Sequence, residues 1–131
     1  MKLLREILYK VEINSVVGNT SLSINKIEFD SRLISDGDMY IAITGVNVDG
    51  HSFISQAIKN GANCIVCEKI PDNKTDGVVY VNVKSSRKAL AIISSNYFDN
   101  PSSKLNLIGV TGTNGKTTIA TLLFDLYTEL E

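Results

Sequence analysis

Val110-Thr111-Gly112-Thr113-Asn114-Gly115-Lys116-Thr117-Thr118 lies between an apolar, strand-like segment, Leu105 to Gly109, and a helix-like one, Ile119 to Leu130. A glycine-rich turn from strand to helix presents backbone N–H groups and the positive end of a helix to phosphate. In such a turn Lys116 can reach the outer phosphates, and the Thr117 hydroxyl can ligate magnesium. The stretch reads as a nucleotide site. Only thirteen residues follow Thr118, so the domain expected to surround the site is missing from this sequence.

The spacing departs from the general pattern G-x-x-x-x-G-K-[ST], which asks for glycine where this chain has Val110. Its glycines stand at Gly109, Gly112 and Gly115. The physical parts are all present: a preceding strand, glycines where backbone approaches phosphate, a lysine, and two hydroxyls at the helix start. The competing reading is a plain strand-to-helix turn in which Thr117 or Thr118 caps the helix. Gly-Lys-Thr-Thr directly after Gly-Thr-Asn argues against it.

Working outward, 131 residues with 44% hydrophobic and 21% charged residues describe an ordinary globular chain. A net charge of −1 gives no electrostatic case for nucleic acid or for a membrane surface. No apolar run approaches a bilayer span, and Met1-Lys2-Leu3-Leu4-Arg5-Glu6 lacks the core of a secretory signal. A cytoplasmic protein is expected. Cys64 and Cys67 form a C-x-x-C, which reads as a redox pair or as half a zinc site. On a strand, however, residues three apart point to opposite faces, and no second pair exists to complete a tetrahedron. Both are expected in the core.

Leu3, Leu4, Ile7, Leu8 and Val11 recur at helical spacing and predict an opening helix. Asn14 to Thr20 reads as a loop, Ser23 to Asp30 as a strand, and Ser35-Asp36-Gly37-Asp38 as a turn. Met39 to Thr44 is a short strand, followed by a loop from Gly45 to His51. Ser52 is placed to cap a helix with the stripe Phe53, Ile54, Ala57 and Ile58, stopped by Gly61. Strands at Cys64 to Glu68 and Val78 to Val83 flank a polar turn, Pro71 to Gly77. Ser86 to Phe98 is a helix with Leu90, Ile93 and Tyr97 inward, and Asp99 to Ser103 is a linker. Alternation of strands and helices predicts a small α/β domain with a mixed sheet over residues 1–103. Residues 104–131 then open a second, truncated ATPase-type domain with one strand, loop and helix.

Two blocks of this sequence together resemble the Mur ligases of peptidoglycan synthesis. One is Phe29-Asp30-Ser31-Arg32, Gly37 to Ala42, Gly45, Asp49-Gly50-His51, Phe53-Ile54, Ala57-Ile58 and Gly61-Ala62; the other is Val110 to Thr118. Their order and separation are similar to the member that adds the third amino acid of the stem peptide, and Thr113-Asn114 favours that member over the sister ligase that adds the terminal D-Ala-D-Ala. Folylpolyglutamate and cyanophycin synthetases share a similar loop, but not the front block.

The resemblance implies that the N-terminal domain holds the uridine-diphosphate end of a muramoyl-peptide substrate, with Phe29, Ser31 and the Val46-Asn47-Val48 turn touching it. The side chains suit that task. Phe29 and Val46 offer apolar walls for a uracil ring, Ser31 offers a hydroxyl at a strand end, and Asn47 can pair with the imide edge. The plain reading of Asp30-Ser31-Arg32 is a turn held by the aspartate side chain and an arginine ion pair. His51, the single histidine, has no partner carboxylate at readable spacing and is expected to cap the helix near Ser52.

By the same resemblance, ATP phosphorylates the free carboxylate of UDP-MurNAc-L-Ala-D-Glu, and an amino-acid amine then attacks the acyl phosphate to give an amide, ADP and phosphate. Gly112, Thr113, Asn114, Gly115, Lys116, Thr117 and Thr118 would cradle ATP. Lys116 would stabilise the transferring group, and Thr117 would hold magnesium. The family's acidic magnesium ligands, carbamylated lysine and amino-acid-binding domain would lie after Glu131. The choice between meso-diaminopimelate and lysine would lie there too. This chain alone is therefore expected to be inactive, and a monomer. Competing readings are another P-loop NTPase, disfavoured by the hundred residues before the loop, and a non-catalytic nucleotide-sugar-binding module.

Overall fold

The computed structural model describes residues 1–106 and 108–130, which divide into two compact units, Met1–Asn100 and Pro101 onward. The first unit is built on a five-stranded sheet. Its strands are β2 (Ile13–Val17), β4 (Ile27–Glu28), β5 (Asp38–Ile41), β6 (Ala62–Cys67) and β7 (Val79–Val83), in the order β2-β7-β6-β5-β4. β4, β5, β6 and β7 run parallel, with Ile27 opposite Met39, Met39 opposite Cys64 and Cys64 opposite Val79. β2 closes the edge antiparallel, Val16 facing Val81. A separate two-stranded ribbon joins β1 (Lys2–Leu3) to β3 (Ser23–Ile24).

Parallel strands covered on both faces are apolar nearly throughout, and the period of two then sorts their side chains into two cores. Met39, Ile41, Cys64, Val66, Val79, Val81 and Val83 meet Leu4 and Ile7 of α1 (Leu4–Ile7) and Ala89 and Ile93 of α3 (Ser86–Tyr97). On the reverse face, Tyr40, Ala42, Ile65, Cys67 and Tyr80 meet Ile54 and Ala57 of α2 (Ile54–Lys59). Cys64 and Cys67 thus lie in different cores, both buried and neither in a disulfide. Burial pushes both thiols up, Cys67 to about 11, and their places on opposite faces of the sheet separate the two sulfurs into different cores.

Several elements differ from the sequence reading. The opening helix is a single turn: the chain leaves helical geometry at Leu8 and turns away at Lys10, where φ is +61°. The expected loop from Asn14 to Thr20 is largely β2. Its residues are exposed, since an edge strand with one partner buries little, and its Ser and Asn mask the Val16-Val17 signal. The expected strand Ser23 to Asp30 is two short ones broken at Asn25-Lys26, one pairing with the ribbon and the other with the main sheet. Asp49 rather than Ser52 caps the turn that leads into α2, its side chain accepting from the His51 N–H. Ser85 caps α3. Gly61 ends the α2 turn with φ +110°, where an added Cβ would fall 2.2 Å from Asp36 Oδ1 and 2.8 Å from Asp36 N.

The second unit has one turn of 3-10 helix, Pro101–Lys104, and the helix α4 (Lys116–Leu130), which begins three residues before Ile119. The strand expected over Leu105 to Gly109 is not formed at residues 105–106 or 108–109, because a lone extended segment has no ladder to join. Leu107 lies outside the described residues.

Candidate nucleotide-binding sites

In an open parallel sheet, ligands collect beyond the carboxyl ends of the strands, where loops diverge. Two such exits make a cleft here. Leaving β4, the Asp30 carboxylate accepts from the Arg32 N–H at 3.0 Å and pairs with its guanidinium, Nη2 to Oδ2 at 2.6 Å. These bonds to Arg32 hold the Asp30 carboxyl at about 2, below the ordinary carboxylate range. They fold Ser31–Leu33 into a 3-10 turn. Ser31 is buried, and its carbonyl accepts from Asn60 Nδ2 at 2.8 Å, which ties the turn to the end of α2.

Leaving β5, the chain makes a tight excursion. Gly45 N donates to Val48 O, Gly50 N donates to Ile43 O, both at 2.9 Å, and Thr44 bridges to Asp49. The Tyr40 hydroxyl donates to Gly50 O at 2.9 Å. Gly50 can carry no side chain, since a Cβ would stand 2.7 Å from Ile43 N. Burial, then the Asp30 and Asp49 carboxylates, pushes the Tyr40 phenol up, so it stays a neutral donor.

Between these exits and α2 lies a cleft of about 1000 Å³. Phe29, Ile43, Val48 and Phe53 supply apolar wall, while Ser31, Ser52, Ser55, Gln56 and Lys59 supply polar groups. Of the expected substrate residues, Phe29, Ser31 and Val48 line it; Val46 and Asn47 are not among its lining residues, and both are exposed. Sequence reasoning missed Tyr40 and the polar side of α2. The second was findable: Ser52, Ser55, Gln56 and Lys59 are spaced three and four apart, opposite the apolar Ile54 and Ala57.

His51 does not cap the helix with its side chain. Its Nδ1 lies 2.7 Å from Asp49 Oδ1, and its Nε2 accepts from Glu68 N–H at 2.9 Å. The partner carboxylate judged absent is two residues upstream. An i, i+2 pair looks unremarkable in sequence because only a turn brings its members together. Hydrogen bonds to His51 hold the Asp49 carboxyl below its ordinary value.

In the second unit Gly112 to Thr118 forms an exposed turn running into α4, and Ile119 N donates to Gly115 O at 3.0 Å. Lys116 Nζ folds back over the turn to donate to Gly112 O at 2.5 Å. Thr113, Asn114, Thr117 and Thr118 are solvent-facing. A lysine curled over exposed backbone at a helix start fits phosphate, and Thr117 offers one hydroxyl for a cation. No cluster of three or more His, Cys, Asp or Glu able to hold a metal occurs among the described residues. Beside the turn, Asn106, Ile108 and Val110 face Ala120, Leu123, Phe124, Tyr127 and Thr128 across a groove of about 530 Å³. No helix among the described residues is long and apolar enough to cross a membrane.

Residues 23–98 match the pattern described as the Mur ligase family, catalytic domain. The UDP-N-acetylmuramoyl-L-alanyl-D-glutamate–2,6-diaminopimelate ligase of Cytophaga hutchinsonii is 48% identical over 128 residues, 97% of this chain and 26% of that protein. The ligase of the same name from Clostridium tetani is 50% identical over 117 residues, 88% of this chain and 24% of that protein. The chain thus spans about a quarter of the length of these curated relatives, at 26% and 24%. Among solved structures, the UDP-N-acetylmuramoylalanyl-D-glutamyl-2,6-diaminopimelate–D-alanyl-D-alanyl ligase of Acinetobacter baumannii shares the fold, with TM-score 0.62, 24% identity, and coverage of 89% of this chain and 26% of that one. MurF ligase of Thermotoga maritima, solved with ADP, is similar at TM-score 0.53 and 33% identity, over 72% of this chain and 21% of that one. A mixed sheet with its loops opening at the strand ends, and a sequence pattern that runs through most of that sheet, agree: this chain belongs to the Mur ligase family.

Proposed function

We propose that the chain carries the uridine-nucleotide-binding module and the ATP phosphate loop of an ATP-dependent ligase that adds the third amino acid to UDP-MurNAc-L-Ala-D-Glu in the cytoplasm. The observation that carries the reading is the cleft beyond β4 and β5. It joins an exposed aromatic wall, Phe29, to polar groups and the Lys59 ammonium in one concavity. That combination suits a planar base attached to a diphosphate. The relatives' printed name supports 2,6-diaminopimelate as the amino acid, and their identity of 48% and 50% favours them over the sister dipeptide-adding ligases, at 24% and 33%.

The chemistry asked of this chain is positioning. Phe29, Ser31 and Val48 hold the uridine end, with the exposed Val46 and Asn47 of the same turn outside the cleft lining, so that the distant carboxylate is presented rather than left to diffuse. Gly112 to Thr118 receive the ATP phosphates, Lys116 sets its positive charge beside the group being transferred, and Thr117 offers its hydroxyl to magnesium. Magnesium, when bound, supplies charge neutralisation. Because one hydroxyl is a poor magnesium site by itself, the 131-residue chain binds ATP weakly and turns over nothing. Calorimetry with UDP-MurNAc-L-Ala-D-Glu and with ATP-magnesium tests this. Measurable binding of the first and weak or absent binding of the second is expected. Tight ATP binding, or any amide product, would overturn it.

A further inference from the structure

His51 is not among the residues that line the cleft, yet it is tied to the wall of the cleft on one side and to the central sheet on the other. Glu68 follows directly on β6, and its N–H is a donor, so the Nε2 that receives it at 2.9 Å carries no proton. The ring proton of neutral His51 therefore sits on Nδ1 and is donated to Asp49 Oδ1 at 2.7 Å. Asp49 and Gly50 close the excursion that presents Gly45, Val48 and Gly50 to the cleft. We propose that His51, held as the Nδ1–H tautomer, is a positioning residue of the uridine cleft, and that protonation at Nε2 releases the Gly45–Gly50 wall from the end of β6. The proposal rests on reading the cleft as a uridine-nucleotide site.

The anchor is embedded in a wider network. The Glu68 side chain reaches the start of α3, Oε1 accepting from Ser86 N–H at 2.8 Å. The Glu68 carbonyl accepts from Asn82 Nδ2 at 2.9 Å. Arg87 reaches the same excursion from α3, Nη2 donating to Thr44 O at 3.2 Å. The charged side chains of these elements are thus Asp49, paired with the ring, Glu68, whose carboxylate is held by the start of α3, and Arg87, whose guanidinium is held by the Thr44 carbonyl. A proton added at Nε2 would put an N–H against the Glu68 N–H, which that geometry cannot hold. After protonation the Asp49 pair survives and Tyr40 still holds the Gly50 carbonyl, while the bond to Glu68 at the end of β6 is lost, so the wall stays folded but loses one of its anchors.

A new positive charge near the cleft would by itself attract a diphosphate. The test therefore runs at about 0.3 M salt, where exposed charges are largely screened, and uses uridine as well as UDP. As the chain holds one histidine, its NMR signals need no assignment. Expected results are an Nδ1-protonated tautomer, and dissociation constants for UDP and uridine that rise several-fold as the imidazole protonates. The amides of Val48, Gly50 and Glu68 should shift with the same midpoint. In His51→Gln, which keeps an oxygen acceptor near the Nε2 position, the pH dependence should vanish. In His51→Phe the affinity should be lowered several-fold at every pH, with the sheet's circular dichroism retained. An Nε2-protonated tautomer, or affinities that do not follow the imidazole titration, overturns the inference. If neither ligand binds at any pH, the uridine reading falls, and the tautomer with the coupled amide shifts still decides whether His51 anchors the wall.

Discussion

Asp30 shows how one side chain can serve a fold and a site together. Its carboxylate closes a turn through the Arg32 N–H and pairs with the Arg32 guanidinium, and the same turn delivers Ser31 to the cleft. The structural and functional readings of Phe29-Asp30-Ser31-Arg32 are therefore compatible, since the ion pair builds what the substrate reading needs. The Asp30 carboxyl should titrate near 2 by carbon-detected NMR, and Arg32→Ala should return it toward the ordinary value. A depressed carboxyl stabilises the fold above its unfolded value and ceases to do so as pH falls through the folded one. The turn's contribution should accordingly be complete well above 3.8, decline as pH falls below that value and be largely gone at about 2. Gly61 is the other residue under tight constraint. With φ at +110° and Asp36 Oδ1 2.2 Å from any added Cβ, Gly61→Ala should cost about 2 kcal/mol or more in urea unfolding.

Among elements, β6 was the most legible and β2 the least. β6 is apolar on both faces because helices cover both faces of a parallel sheet, and Cys64 and Cys67 could be assigned to opposite cores from the period of two alone. Thiol reagents should therefore leave both cysteines unmodified in the native chain and react with both after denaturation, with no disulfide formed under mild oxidation. β2 escaped detection because an edge strand takes its stability from backbone pairing with β7 rather than from a buried face. Its side chains carry little sign of it. The helix caps were misplaced for a related reason. Asp49 and Ser52 are both capping residues by type, and only the bridge from Thr44 to Asp49 decides which one stands at the start of the turn. Of the residues lining the cleft, Phe29 and Ser31 stand in the motif block and Val48 in the turn named with it, whose Val46 and Asn47 lie outside the lining. Tyr40 was not legible, because its ring belongs to the reverse core while only its hydroxyl reaches the loop.

For the molecule as a whole, every buried hydrophobic side chain among the described residues lies between Leu4 and Ile93. Both cores therefore belong to the first compact unit, Met1–Asn100. A piece ending at Asn100 should unfold cooperatively on heating and keep its UDP affinity within about twofold, as measured by calorimetry; loss of the cooperative transition would show that the tail contributes to that fold. Lys116→Ala in the 131-residue chain should abolish whatever weak ATP binding is seen and leave UDP binding untouched. The curl of Lys116 onto the Gly112 carbonyl has a consequence for how that loss should look. The ammonium is already parked over the turn, so an arriving anion exchanges one oxygen partner for another instead of freezing a wandering side chain. Triphosphate capture at this bend should thus be limited by the displacement of an internal tether.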